Sequence, residues 1–197
     1  MRVGILLFDG VEELDFVGVW EVLRKAKQLH PPLNLSVITR ATKESIQCAL
    51  GLTVLAHEVK RDLGDIDLLI VPGGPGREAV ISDRAMLERI EEFGRTKPVA
   101  SVCTGALILQ AAGLLSGRRA TTHFLARGDL TEADVVTDRV VVDGRVITSG
   151  GVSASIDLGL KILEMNFGRE LADEVAARIE YLPATAVVDP PEQDPTL

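Results

Sequence analysis

Residues 98–112 read Pro-Val-Ala-Ser-Val-Cys-Thr-Gly-Ala-Leu-Ile-Leu-Gln-Ala-Ala. Pro98 to Val102 is a short apolar run of the kind that fills a buried strand, and Gly105 to Ala112 reads as helix, with Gly113 placed to cap it. Only Cys103 and Thr104 lie between them. A strand that passes into a helix so abruptly, with Gly105 and Ala106 small enough for the helix to start against it, has the form of a nucleophile elbow in an α/β sheet.

The flanking sequence carries the same alternation. Asp67 to Val71 is a second central strand, cut off by Pro72-Gly73-Gly74-Pro75-Gly76, and Asp83 to Arg95 is a helix whose buried stripe is Met86, Leu87, Ile90 and Phe93. Toward the N-terminus, Arg2 to Phe8 is a strand stopped by Asp9-Gly10. A helix follows, with Phe16, Val19, Trp20, Leu23 and Ala26 at helical spacing until Pro31-Pro32 ends it. Leu35 to Thr39 reads as a strand and Gly51 to Leu55 as a short edge strand. Toward the C-terminus come a brief strand at Ala120 to Thr122, a hairpin of Arg139–Val142 and Arg145–Thr148 around Asp143-Gly144, and helices over Ala154–Met165 and about Glu170–Leu182. Nothing repeats, so one domain is expected over residues 1–183, with an acidic, Pro-rich tail over 184–197.

The chain has 197 residues and a formal charge of −8, with 46% hydrophobic and 25% charged residues. Such a composition supports a globular core. The acidic balance, without a basic stripe, argues against nucleic acid and anionic membranes as partners. No signal peptide or membrane-length apolar run is evident, so a cytoplasmic location with reduced thiols is expected. The three histidines and two cysteines have no metal-ligand spacing, and no metal is expected.

In such sheets ligands gather at the carboxyl ends of the strands, where three features converge. Cys103 at the elbow faces a helix N-terminus, which is expected to lower its pKa. The Gly73-Gly74 pair lets backbone N–H groups approach a ligand, as an oxyanion hole requires, although a plain tight turn explains it equally. Asp15, among the apolar residues Leu14, Phe16 and Val17, is either a first-turn acid of its helix or a desolvated carboxyl fit to move protons. Glu12 and Glu13 are expected to be solvated. His123 ends a strand and is a candidate for the site's border, while Cys48 sits in a polar segment and reads as inert.

Taken together, Val11-Glu12-Glu13-Leu14-Asp15-Phe16-Val17-Gly18, Val71-Pro72-Gly73-Gly74, Ser101-Val102-Cys103-Thr104-Gly105-Ala106 and the run from Gly113 to His123 resemble the ThiJ/PfpI superfamily. Its fold is similar to class I glutamine amidotransferases. That resemblance implies a flavodoxin-like three-layer α/β sandwich, with a mainly parallel sheet between helices. Within it, the Ser101–His123 run and Gly150 to Asp157 look most like isonitrile hydratases and the sensor domains of AraC-type regulators. It implies Cys103 as nucleophile, Asp15 as its carboxyl partner, Thr104 as the residue after the nucleophile, and backbone N–H groups of Gly74 and Thr104 as holders of developing charge. Val19 departs from the family, which has proline there, and the start of the first helix is in question.

The expected activity is cofactor-free addition of water to an isonitrile, a small-molecule substrate, giving an N-substituted formamide. Two other readings use the same residues: a glyoxalase-like enzyme acting on α-oxoaldehydes, and a ligand or redox sensor. Regulators normally continue into a helix-turn-helix module, and the acidic tail here counts against the sensor. A homodimer is implied by the family alone.

Overall fold

The computed structural model describes residues 1–181. In chain order the elements are β1 (Arg2–Leu6), α1 (Glu13–Leu29), β2 (Ser36–Ala41), β3 (Ser45–Gln47), β4 (Thr53–Leu55), β5 (Glu58–Val59), β6 (Leu68–Val71), α2 (Arg77–Ser82), α3 (Arg84–Thr96), β7 (Val99–Val102), α4 (Gly105–Ala111) and β8 (Arg119–Ala120). A 3-10 turn (Phe124–Asp129) precedes β9 (Asp134–Val135), β10 (Val140–Asp143), β11 (Val146–Ser149), α5 (Ala154–Phe167) and α6 (Arg169–Arg178).

Seven strands form one sheet in the order β10-β11-β7-β6-β1-β2-β5, parallel except for the β10–β11 pair. Strands buried on both faces alternate their side chains between two apolar layers. Val3, Ile5, Ile70, Ala100 and Ile147 join the layer that includes α1, α5 and α6. Leu6, Leu69, Val71, Val99 and Val146 join the one that includes α3 and α4. On the first face α1 lies close along α5: a Cβ on Gly159 would come within 2.8 Å of Val22 Cβ, and one on Gly18 within 2.1 Å of Ser155 Oγ. The mainly parallel α/β sheet matches the fold expected from the sequence.

Several short elements depart from the sequence reading. Gly51 to Leu55 does not edge the main sheet; β4 pairs antiparallel with β3 in a separate hairpin. β3 escaped notice because it buries only Ile46. β8 lies outside the main sheet and pairs with β9, and α2, with Val80 its single buried residue, is too short to show a period. Asp83 is not in α3 but caps it, its side chain accepting from the Met86 N–H. The last helix stops at Arg178, Glu180 has a positive φ of 54°, and the expected tail over 184–197 lies outside the described residues. Val19 is fully buried within an unbroken α1, so the missing proline leaves the helix start intact.

Because β1, β6, β7 and β11 run parallel, their carboxyl ends share one edge of the sheet. From that edge spring the turn into α1, the Pro72–Gly76 turn, the Cys103 elbow and the Gly150–Val152 turn. The register sets Ser149 directly beside Val102, which brings the last turn against the elbow.

Candidate active site

Cys103 has φ +55°, a left-handed conformation that a side chain adopts at a cost of about 1–3 kcal/mol. Hydrogen bonds hold it there. Its N–H is shared between Ser149 O at 3.1 Å and Gly150 O at 3.0 Å, and its carbonyl accepts from Thr122 Oγ1 at 2.8 Å. Gly105 lets α4 begin against β6, since a Cβ there would meet Val71 O at 2.1 Å. Beside the thiol lie the Thr104 and Val152 N–H groups and the Thr104 hydroxyl, which favour its ionised form.

Asp15, in the first turn of α1, is fully buried. Its Oδ2 accepts the Gly73 N–H at 2.8 Å, while Oδ1 makes no hydrogen bond within the described residues. Burial pushes the carboxyl up to about 7, against the pull of the Gly73 N–H; the negative Glu12 adds to the rise, and the neighbouring Cys103 thiol opposes it. Burial likewise pushes the Cys103 thiol up to about 11, with the charge of Asp15 adding to it and the Thr104 and Val152 donors opposing. The expected lowering of the thiol pKa is therefore reversed. A seven-residue helix supplies a modest dipole, and burial beside a carboxylate outweighs it.

Gly73 and Gly74 have separate tasks. The Gly73 N–H holds Asp15, and the Gly74 N–H donates to Thr104 Oγ1 at 3.1 Å. Gly74 thus fixes the Thr104 side chain, and its N–H already has an acceptor, whereas the Thr104 N–H lies beside the sulfur and favours its ionised form. Both glycines are required sterically: a Cβ on Gly73 would meet Thr104 Oγ1 at 2.5 Å, and one on Gly74 the Gly10 carbonyl at 2.4 Å.

A cavity of about 310 Å³ adjoins the elbow. Thr122 and Gly150 line it and also hydrogen-bond to the Cys103 backbone, so the cavity lies against the elbow, with Cys103 and Asp15 themselves outside its lining. His123 is on its rim, packed so closely on Gly151 that a Cβ there would come within 2.2 Å of the imidazole. Its Nδ1 accepts the Leu125 N–H at 3.3 Å, and burial and the Arg127 charge lower its pKa, which leaves a neutral ring with the proton on Nε2. No hydrogen bond joins His123 to Cys103.

The sequence reading missed the Val152 N–H. The signal was present in Gly150-Gly151, which follows a strand just as Gly73-Gly74 does. Glu13 is not simply solvated: its Oε1 accepts the Leu50 and Leu52 N–H groups at 2.8 and 3.3 Å, tying α1 to the β3–β4 turn. Cys48 is buried in that turn, away from the site, and burial with the charges of Glu13 and Asp9 pushes its thiol up to about 11.

Residues 1–165 match the model of the DJ-1/PfpI family. The chain belongs to the DJ-1/PfpI family. An isonitrile hydratase from Pseudomonas putida is 36% identical over 188 residues, spanning 93% of this chain and 80% of that protein. The HTH-type transcriptional regulator CdhR from Pseudomonas aeruginosa is 32% identical over 177 residues, which is 87% of this chain and 52% of the regulator. Among solved structures, a ThiJ/PfpI family protein from Pseudomonas syringae superposes with a TM-score of 0.81 at 29% identity, covering 96% of this chain and 76% of that one. DJ-1/PfpI relatives of this chain thus include an enzyme and a regulator. Among the described residues no helix is long and apolar enough to cross a membrane.

Proposed function

We propose that this DJ-1/PfpI protein hydrates a small isonitrile to an N-substituted formamide, using Cys103 as nucleophile and Asp15 to carry protons. The observation that supports this most is the buried Asp15 beside the thiol, with a pKa of about 7. A carboxyl poised near neutrality serves both as base and as acid within one turnover.

The terminal isonitrile carbon accepts a nucleophile and a proton. Ionised Asp15 takes the Sγ–H proton as the sulfur forms its bond to that carbon, then delivers the proton to the same carbon, giving a thioimidate R–N=CH–S–Cys103. Water adds to the thioimidate carbon, with Asp15 taking one of its protons and passing it to nitrogen. Collapse of the adduct breaks the C–S bond, releases R–NH–CHO and returns the remaining proton to the thiolate. The Thr104 and Val152 N–H groups hold the sulfur whenever it carries charge. Over the cycle water supplies the carbonyl oxygen and the two added hydrogens, so the proposed route needs no cofactor.

The cavity volume is at the small end for ligand sites, which suits a compact substituent. A homodimer is part of the same proposal. Leu14 and Val17 on α1, and Leu50, Leu52 and Leu55 on the hairpin it is tied to, are exposed apolar residues that a second copy would cover. The similarity to CdhR favours a second reading, a ligand-sensing domain. The deciding assay follows consumption of aryl and alkyl isonitriles by the purified chain, with methylglyoxal in parallel. Formamide as product supports the hydratase, lactate would support the glyoxalase-like alternative, and consumption of none would leave the sensor.

A further inference from the structure

Two arginines line the cavity beside Cys103, and they differ in what holds them. Arg139 is neutralised: its Nε bonds to Asp157 Oδ2, and its Nη2 reaches Ser153 Oγ at 3.0 Å and Tyr181 Oη at 3.4 Å. Among the described residues the lining has a single carboxylate, Asp138, which is bound to Arg119 at 3.0 Å. Arg127 forms no ion pair among the described residues, and its Nε is buried without a hydrogen bond. A guanidinium with a buried, unused Nε donor gains when an anion completes it, and its planar fork matches a carboxylate. The charge of Arg127 also bears on the cavity rim, where it disfavours protonation of His123. Among the described residues that leaves Arg127 as the one uncompensated cation of a cavity that lies against the elbow.

We propose that the cavity takes a small substrate carrying a carboxylate, and that Arg127 is the residue that pairs with it. The substrate class rests on the hydratase reading: an isonitrile whose substituent ends in a carboxylate. Arg127 would touch a group remote from the reacting carbon, so it governs which substrate binds and acts on KM more than on kcat.

The test uses N-formylglycine, the formamide that isocyanoacetate would give, and its neutral counterpart N-formylglycinamide, each titrated calorimetrically into the full chain. The acid is expected to bind the wild-type protein about tenfold more tightly than the amide, about 1.4 kcal/mol. Arg127→Gln should abolish that preference and Arg127→Lys keep part of it. Arg84→Gln, at an exposed pair with Glu88, should leave it unchanged. Equal binding of acid and amide by the wild-type protein, or a preference that survives Arg127→Gln, overturns the proposal. Isonitrile turnover is scored separately. Arg127-dependent binding of the acid with no isonitrile consumed keeps the anion site and discards the hydratase. Hydration of neutral isonitriles without an Arg127-dependent preference does the reverse.

Discussion

The Gly73 N–H donates to Asp15 Oδ2 at 2.8 Å, and this bond fixes one oxygen of the carboxyl while the other, Oδ1, is buried without a hydrogen bond within the described residues. Asp15→Asn keeps an oxygen for Gly73 but cannot take up or release a proton. kcat for isonitrile hydration is expected to fall by about 10²–10⁴-fold or more. The kcat/KM profile of the wild-type protein should rise through about pH 7 as Asp15 ionises, a limb that steady-state kinetics should find missing in Asp15→Asn.

The same substitution should make the thiol more acidic. The Asp15 charge raises the Cys103 pKa, so its removal increases the thiolate fraction at a given pH. Alkylation of Cys103 by iodoacetamide at pH 8, followed by mass spectrometry, is expected to be faster in Asp15→Asn than in the wild-type protein. A slower reaction would show that the carboxyl helps ionise the thiol.

Asp15 also couples stability to pH. Its pKa of about 7 in the folded protein exceeds the unfolded value of about 3.9, so folding favours the protonated form. That contribution is complete below about pH 4 and is lost as pH rises through 7, over which it declines by a few kcal/mol. Melting curves of the wild-type protein and Asp15→Asn should therefore move in favour of the variant from pH 4 to 7 and then run parallel. A difference independent of pH would mean that the carboxyl stays ionised throughout.

Cys103→Ala should abolish turnover, and wild-type-like activity in Cys103→Ser would rule out the covalent route. The backbone gives a second readout. At φ +55° glycine is unstrained while alanine is not, so Cys103→Gly should be more stable than Cys103→Ala by about 1 kcal/mol in urea unfolding. The reverse order would show that the elbow relaxes when the sulfur is gone.

Gly105→Ala places a Cβ 2.1 Å from Val71 O, a backbone atom that cannot step aside without moving β6. Denaturant unfolding should show a loss of about 3 kcal/mol or more, and activity should fall with it because the elbow can no longer close. A variant of wild-type stability would place the tight helix start elsewhere.

Much of this arrangement was legible along the chain. Largely apolar strands such as Leu68–Val71 and Val99–Val102, each followed by a turn rich in small residues, announced both the sheet and the edge at which the site lies. The short strand Ser45–Gln47 was not, because a strand with one buried residue leaves no alternation to read, so Thr53–Leu55 read as an edge strand without its hairpin partner. The pKa of Cys103 was misjudged for a related reason. The helix start is local in sequence, but the burial and the carboxylate that outweigh it arrive only when α1 packs beside the elbow. The Val152 donor was signalled only by the Gly150-Gly151 pair before it, while the backbone angle there, φ +36°, is set by the folded turn.

The Cys103 N–H bonded to both Ser149 and Gly150 carries a thermodynamic consequence. The bond extends the β7–β11 ladder into the elbow, while Asp15 arrives beyond the end of β1 and is held by Gly73 at the end of β6. No local segment holds the thiol environment by itself. Active-site integrity is therefore subject to the same cooperative opening as the central sheet. Amide exchange at Cys103 and loss of activity in denaturant should share one midpoint, with no earlier fraying of the site.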